Sequence, residues 1–280
     1  MISLILTILC STCIALILKS NAMRKGHPVV LLFANYLVAA AISLVFLVTA
    51  ETFEYAFATF IFAALLAILF VTSFFLFAKA VESAGAALSQ TSSRLSVVVP
   101  VILSILFFHE TPSSFQIAGI ILAIVTIVMF YLSIKGEKTN RINALVSLYL
   151  LGLLFGIGIA DFSMKLFNVW RPNAEKPFFL FTIFTFAALY TGAVILFRRI
   201  RITRQTMMLG AVLGVPNVFS TFFLLLALKQ LPAIVVYPAV NIGIIVLTAI
   251  LAALFWREKM NTYSVFGLAC GLLSILLLGF

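Results

Sequence analysis

The chain has 280 residues, of which 64% are hydrophobic and only 9% are charged, whereas a soluble globular chain carries roughly 25% charged residues. These proportions exclude a water-soluble protein, because too few charged side chains exist to cover its surface. The net charge of +10 does not indicate nucleic-acid binding, since the basic residues gather at the ends of apolar segments, where they anchor helices at the membrane surface. We expect an integral membrane protein whose partner is the lipid bilayer, with no nucleic acid.

Ten long apolar runs follow one another along the chain. A helix needs about 20 apolar residues to cross hydrocarbon about 30 Å thick, so each run is a candidate transmembrane helix. In chain order the predicted spans are 2–18, 28–50, 55–78, 84–108, 115–134, 144–166, 178–197, 206–228, 233–256 and 263–280. The connections between them hold only a handful of residues each. The predicted fold class is therefore all-α integral membrane, with ten transmembrane helices.

The two halves of the sequence resemble each other. Shifting residues 74–130 by 148 positions places them without a gap on residues 222–278. The shift aligns Glu110 with Glu258 and Gly119 with Gly267, which are more informative matches than one aliphatic residue on another. Five helices per copy is an odd number, so the second copy enters the membrane from the opposite side. We predict two inverted five-helix repeats around a central cavity, 1–134 and 144–280, joined by a linker at 135–143.

In each half, an apolar helix ends in an aromatic-rich stretch that closes on a glutamate. The sequences are Phe107-Phe108-His109-Glu110 and Phe255-Trp256-Arg257-Glu258, each followed by a glycine-bearing helix. With the ten spans and the five-plus-five repeat, this pattern resembles the EamA-like branch of the drug/metabolite transporter superfamily. The resemblance implies ten helices around a substrate cavity and transport of amino acids, sugars, nucleotide-linked compounds or other small metabolites. It names no single substrate.

One charged residue lies deep inside a predicted span. Arg94 is about ten residues into the fourth span, roughly 15 Å deep at 1.5 Å per residue, where an ionisable side chain costs about 2.5–3.5 kcal/mol unless it faces a cavity or a partner. Its planar fork suits a carboxylate or a phosphate on the substrate. The alternative is a structural salt bridge with Asp161 or Glu82.

Asp161 is the second charged residue away from the ends of a span. It lies about six residues before the end of the sixth span, with Lys165 one turn later. Two interpretations stay open: Asp161 contacts the substrate or carries a proton, or it pairs locally with Lys165 at a spacing of four residues.

The surroundings of Arg94 are too polar to face lipid. Residues 89–96 are almost all Ser, Thr, Gln or Arg, and the repeat places Asn241 opposite Ser93 in the alignment. Such stretches suit a water-filled cavity, although Ser and Thr also make ordinary hydrogen bonds between helices. The candidate substrate-binding residues are Arg94, Ser93, Gln90, Asn241, Tyr237 and Asp161.

Prolines and glycines inside the spans indicate local geometry. Pro100, Pro216 and Pro238 each remove a backbone hydrogen bond and kink a helix, which serves either as a hinge or as ordinary packing. Pairs of glycines four residues apart, such as Gly210 and Gly214, permit close approach of helices.

The sequence contains no arrangement typical of an enzyme. Its two histidines lie in separate connections, no two carboxylates share a span, and neither metal-ligand spacing nor a phosphate-binding loop occurs. We therefore expect no enzymatic activity, no cofactor and no metal. The predicted function is secondary transport of a small polar metabolite, such as an amino acid or an organic anion, in a bacterial inner membrane. The alternative function is that of a membrane-embedded enzyme or flippase that acts on a lipid-linked phosphate. The sequence does not decide between a monomer and a homodimer.

Positive charge is unevenly distributed between the two sides of the predicted helix array. The odd-numbered connections carry 13 Lys and Arg residues and the even-numbered ones carry four. The positive-inside rule therefore assigns the odd-numbered connections to the cytoplasm and both termini to the opposite side. The family resemblance implies the reverse orientation.

Overall fold

A computed structural model describes residues 2–50, 55–84, 86–134, 144–256 and 261–279. Within these ranges the chain forms helices and no β-strand. The helices are α1 (Ile2–Met23), α2 (Pro28–Val48), α3 (Phe57–Ala84), α4 (Ala86–Leu95), α5 (Val98–Phe108), α6 (Ser114–Ile134), α7 (Ala144–Trp170), α8 (Lys176–Phe197), α9 (Arg204–Gln230), α10 (Ala233–Trp256) and α11 (Thr262–Leu278). A short 3-10 turn, Asn173–Glu175, precedes α8.

The described helices confirm the all-α membrane fold. Nine segments in this part of the chain are long and apolar enough to cross a bilayer, and α11 is a further apolar helix of 17 residues. Each of the ten matches one predicted span. Their apolar residues are exposed in large numbers, as expected for side chains that face lipid instead of water.

The fourth predicted span is not one continuous helix. It is divided into α4 and α5, with a turn at Ser96 and Val97. Pro100 explains the position of this break, because a proline has no N–H to donate to the carbonyl four residues earlier and its ring clashes with that carbonyl, here that of Ser96. The Ser96 carbonyl instead accepts a hydrogen bond from the Val99 N–H at 3.0 Å. The predicted kink is therefore a complete interruption of the helix.

The described chain divides into two compact units. Unit 1 comprises Met1–Val71 and Leu166–Leu226, and unit 2 comprises Thr72–Lys165 and Ala227–Phe280. In unit 1, α2 packs most extensively on α8; in unit 2, α6 packs most extensively on α11. Both pairs join helices that hold the same place in the two predicted repeats. Each unit thus draws on both halves of the sequence. The inverted two-fold and the repeat boundaries stay predictions, and residues 135–143 lie outside the described part.

Glycines allow α9 to approach the backbone of α2 inside unit 1. A Cβ added at Gly210 would lie 2.3 Å from the Leu31 carbonyl oxygen, and one added at Gly214 would lie 2.7 Å from the Asn35 carbonyl oxygen. These contacts confirm the packing role predicted for the paired glycines. Because the obstructing atoms belong to the backbone, no side-chain rotation can make room for a larger residue.

Replacing Gly210 with Ala is expected to destabilise the protein by about 1–3 kcal/mol, the usual cost of overpacking. The gain in helix propensity, about 1 kcal/mol, offsets only part of this cost. Gly152→Ala is the matched control, because its new Cβ would lie 3.2 Å from the Leu76 Cδ1 atom, which belongs to a flexible side chain. Thermal unfolding in detergent should show a lower melting temperature for Gly210→Ala alone. Equal melting temperatures for the two variants would contradict the backbone contact.

Candidate functional site

Arg94 lies in the last turn of α4, immediately before the break. A cation is favourable there because the unpaired carbonyls at the end of a helix carry partial negative charge. The half-buried guanidinium donates from Nη1 to the Asn241 Oδ1 atom at a distance of 3.4 Å, which is long for a hydrogen bond. Among the described residues, the other donors of Arg94 have no hydrogen-bond partner. The guanidinium is therefore held loosely and retains donors for an anion.

Two residues of α10 and one of α7 complete the arrangement around Arg94. The hydroxyl of Tyr237 donates to the backbone carbonyl of Asp161, and this tyrosine is 2% exposed. Asn241 donates from Nδ2 to the Tyr237 carbonyl at 3.2 Å. The charges of Arg94 and Asp161 lie close enough to interact electrostatically. The structure thus brings four of the six candidate residues together within unit 2.

Ser93 and Gln90 belong to the same helix as Arg94 but are placed differently. The Ser93 carbonyl accepts a hydrogen bond from Ser96 Oγ at 2.6 Å, and its side chain is half-buried. Gln90 is exposed, and no hydrogen bond within the described ranges joins it to the other five candidates. The neighbouring Ser92 donates to the Leu150 carbonyl at 2.6 Å, which docks α4 on α7.

The alternative partners considered for Arg94 and Asp161 are engaged elsewhere. Glu82 pairs with Lys79 at 2.7 Å on an exposed surface, so it is not the counter-ion of Arg94. Lys165 pairs with Glu110 at 2.8 Å, so the local pair of Asp161 with Lys165 is not formed. In the part of the chain that the structure describes, the Asp161 carboxylate forms no ion pair within 4 Å. Its charge is left available to a ligand or to the longer-range interaction with Arg94.

Glu110 has a structural role that the repeat motif alone did not reveal. Its two carboxylate oxygens accept hydrogen bonds from the backbone N–H groups of Ala233 and Ile234, each at 3.1 Å. Its contact with Lys165 completes a cluster in which both side chains are only 11% exposed. Glu110 therefore caps the N-terminus of α10, where a negative charge is favourable. The aligned Glu258 lies outside the described residues.

A signal for this cap was present in the sequence. Helix α10 follows Pro232, which has no side-chain oxygen to accept the first N–H groups of the helix. An apolar helix that starts without a Ser, Thr, Asp or Asn cap requires an acceptor from elsewhere in the chain. Tyr237 and Asn241 lie one and two turns beyond Ala233, so the cap at Glu110 also positions the α10 part of the candidate site.

The described residues contain no group of three or more His, Cys, Asp or Glu side chains that could hold a metal ion. The arrangement around Arg94 presents a cation with spare donors, a nearby carboxylate and an amide, and the buried Tyr237 holds α10 against α7. A cation with spare donors has the chemistry to bind an acidic group.

Comparisons with known proteins agree with the fold. A model of the EamA-like transporter family matches residues 1–132. An uncharacterized protein of Haemophilus influenzae is 31% identical and aligns with 98% of this chain and 96% of its own length. A protein of known crystal structure superposes with a TM-score of 0.80 over 99% of this chain and 94% of its own, at 11% identity. The crystal structure supports the fold alone.

Glu110→Gln is expected to destabilise the protein by about 3–5 kcal/mol, because it removes the counter-ion of the buried Lys165 and one of two acceptors for the start of α10. Glu82→Gln makes the same substitution in an exposed pair and should leave stability unchanged. Chemical or thermal unfolding in detergent measures both variants. A Glu110→Gln protein as stable as the Glu82→Gln control would show that the cluster contributes nothing to folding.

Proposed function

Because this chain belongs to the EamA-like transporter family, we propose that it carries a small polar metabolite, an amino acid or an organic anion, by secondary transport with alternating access. The protein is a multi-pass membrane protein of the drug/metabolite transporter superfamily. Members of this family are transporters. Family membership therefore does not favour the alternative function, a membrane-embedded enzyme or a flippase of lipid-linked phosphates. The relative from Haemophilus influenzae supports a location in a bacterial inner membrane.

The observation that carries this proposal is the state of Arg94. A guanidinium inside a membrane protein needs strong partners, yet its hydrogen bond to Asn241 is 3.4 Å long and its remaining donors are free of described partners. A carboxylate or phosphate of the substrate would supply those partners in a bidentate arrangement. The substrate in this proposal therefore carries an acidic group, and Arg94 is the residue that binds it.

The break between α4 and α5 supports alternating access. Discontinuous helices place substrate sites near the midplane in many secondary transporters, because half-helix ends present polar groups to a ligand. The family model covers residues 1–132, which is close to the first predicted repeat of 1–134. A family unit of that length supports the proposed origin of the chain as two five-helix repeats.

Arg94→Lys is expected to leave the protein folded and to weaken transport of carboxylates or phosphates by about 1–3 kcal/mol, because a lysine cannot form the bidentate contact. Uptake of radiolabelled amino acids, organic acids and sugars into proteoliposomes measures this effect, together with the melting temperature. Neutral compounds, where they are carried, should be spared.

Arg171→Lys is the matched control for Arg94→Lys. Arg171 already donates from Nε to the Glu175 Oε2 atom at 3.0 Å and from Nη2 to the other carboxylate oxygen. Its guanidinium therefore has a structural role. This variant should lower the melting temperature and affect all transported compounds alike. A folded Arg94→Lys protein with unchanged anion uptake would exclude the binding role.

Asp161→Asn is expected to separate the two proposed substrate classes. An amino acid presents an ammonium that Asp161 can bind, and losing this contact costs about 1.5–3 kcal/mol, or roughly 10- to 150-fold in uptake efficiency. An organic anion has no ammonium and is repelled by Asp161, so its uptake should be retained or improved. Alanine and lactate form a suitable probe pair, because they share a carboxylate and differ in the ammonium. If uptake of alanine and of lactate falls equally in Asp161→Asn, the role of Asp161 is to position Arg94 and not to bind an ammonium.

A further inference from the structure

A cavity of about 220 Å³ lies in unit 1, whereas Arg94 and its partners belong to unit 2. It is formed by the connection between α1 and α2 and by the residues around the start of α9. Its lining is polar and basic, and the residues that matter for its chemistry are Asn21, Arg24, Lys25, His27, Thr203 and Thr206. At roughly 30 Å³ per water molecule, this volume accommodates a phosphate group with several waters.

The cavity has a buried polar floor and an exposed basic rim. Asn21 and Thr206 are 4% and 3% exposed, whereas Arg24, Lys25 and His27 are exposed. Asn21 donates from Nδ2 to the Gly26 carbonyl at 3.0 Å, and the Gly26 N–H donates to the Asn21 carbonyl at 3.0 Å. This pair of hydrogen bonds fixes the loop that carries the three basic side chains.

The basic rim belongs to two stretches of the sequence that contain no acidic residue. The sequence contains no Asp or Glu in residues 1–50 or 176–257, which include every residue of the lining. Within the described ranges, the side chains of Arg24 and Lys25 form neither an ion pair nor a hydrogen bond. Two uncompensated cations beside a concave polar surface create a positive potential that selects anions.

His27 adds an oriented donor to this set. Its Nδ1 atom accepts a hydrogen bond from the Val29 N–H at 3.3 Å, so the ring proton of the neutral imidazole resides on Nε2. Desolvation by the neighbouring protein lowers the pKa of His27, which favours this neutral form. The Nε2–H group and the two cations are hydrogen-bond donors, and an oxyanion accepts from each of them. The Thr203 hydroxyl donates to Thr206 Oγ1 at 2.8 Å, a hydrogen bond that joins two residues of the lining.

Apolar side chains flank the basic lining. Met23, Ile202 and Met208 are 60%, 50% and 59% exposed, and each adjoins or nearly adjoins a lining residue in the sequence. An anion that also carries acyl chains can place them on such a surface. Both connections belong to the side of the predicted helix array that is richer in Lys and Arg, and basic segments at a membrane surface attract anionic lipids.

We propose that this cavity binds the phosphate group of an anionic membrane phospholipid. A soluble phosphate ester shares the recognising chemistry but not the acyl chains, so the two sources are distinguishable. Phosphatidylcholine carries the same phosphodiester with a quaternary ammonium, which the uncompensated cations repel. Phosphatidylglycerol should therefore bind more tightly than phosphatidylcholine.

The test is native mass spectrometry of the delipidated full-length protein titrated with phosphatidylglycerol, phosphatidylcholine or glycerol 3-phosphate. The double variant Arg24→Gln/Lys25→Gln should weaken phosphatidylglycerol binding about 25-fold, at about fivefold per charge removed. Arg198→Gln/Arg199→Gln is the matched control, since it removes two exposed charges from the connection before α9 without changing a residue of the lining. Each double variant replaces one residue with positive φ, Lys25 in the first and Arg199 in the control. Arg24→Lys/Lys25→Arg preserves the charge and should retain binding.

A loss of phosphatidylglycerol binding in Arg24→Gln/Lys25→Gln alone supports the site. If glycerol 3-phosphate displaces the lipid, the site also binds soluble phosphate esters. If it does not, the site is specific for lipids. Equal losses in the two neutralised variants would show a diffuse charge effect and overturn the proposal. Loss in the charge-preserving variant, or equal binding of both phospholipids, would also overturn it. Matching melting temperatures exclude a folding defect as the cause.

Discussion

A backbone N–H or C=O group inside hydrocarbon has no water to bond, so every helix end at that depth requires a partner from the protein. A helix end that is buried in protein has the same requirement, and the start of α10 is such an end, because Ala233 and Ile234 are buried. The residue before the helix, Pro232, has no side-chain acceptor, and the carboxylate of Glu110 accepts the first two N–H groups of the helix. Lys165 neutralises that carboxylate at 2.8 Å. The register of α10, and with it the placement of Tyr237 and Asn241, follows from this contact.

The same constraint explains how the fourth span tolerates its interruption. Three carbonyls near the break accept from local donors: Ser93 from Ser96 Oγ, Arg94 from the Val97 N–H, and Ser96 from the Val99 N–H. Gly158 contributes from α7, because a Cβ there would lie 2.8 Å from the Ser96 carbonyl oxygen and 2.4 Å from Val99 Cβ. The irregular backbone is therefore enclosed by protein, as membrane interiors require. Arg94 lies in the last turn of α4, immediately before this break.

Much of this arrangement could be predicted from the sequence, and the remainder shows where such prediction ends. Hydrophobic run length identifies spans, and a lone charge at the depth of Arg94 identifies a candidate site, because both rest on the cost of polar groups in lipid. The pairing of Lys165 with Glu110 rather than with Asp161 could not be predicted in this way. It joins residues far apart in sequence, and helices that are apolar all round carry no periodicity to indicate which face meets which neighbour. Pro100 predicted a kink, but the complete break also depends on the Ser96 hydroxyl and the space left by Gly158.

The composition of the two compact units has a consequence for biosynthesis. Helix α6 packs chiefly on α11, and the hydrogen bond from Ser274 to the Gly119 carbonyl, at 2.7 Å, spans 155 residues of chain. The ribosome therefore delivers α6 to the bilayer well before its partner exists, and in the interval lipid or the insertion machinery must cover the glycine surface that α11 later occupies. Assembly of unit 2 is consequently a late, non-local event, which is the slow regime of folding. A substitution that delays insertion of α11 would leave a nascent chain with an unoccupied interhelical groove, the kind of surface that quality-control proteases survey.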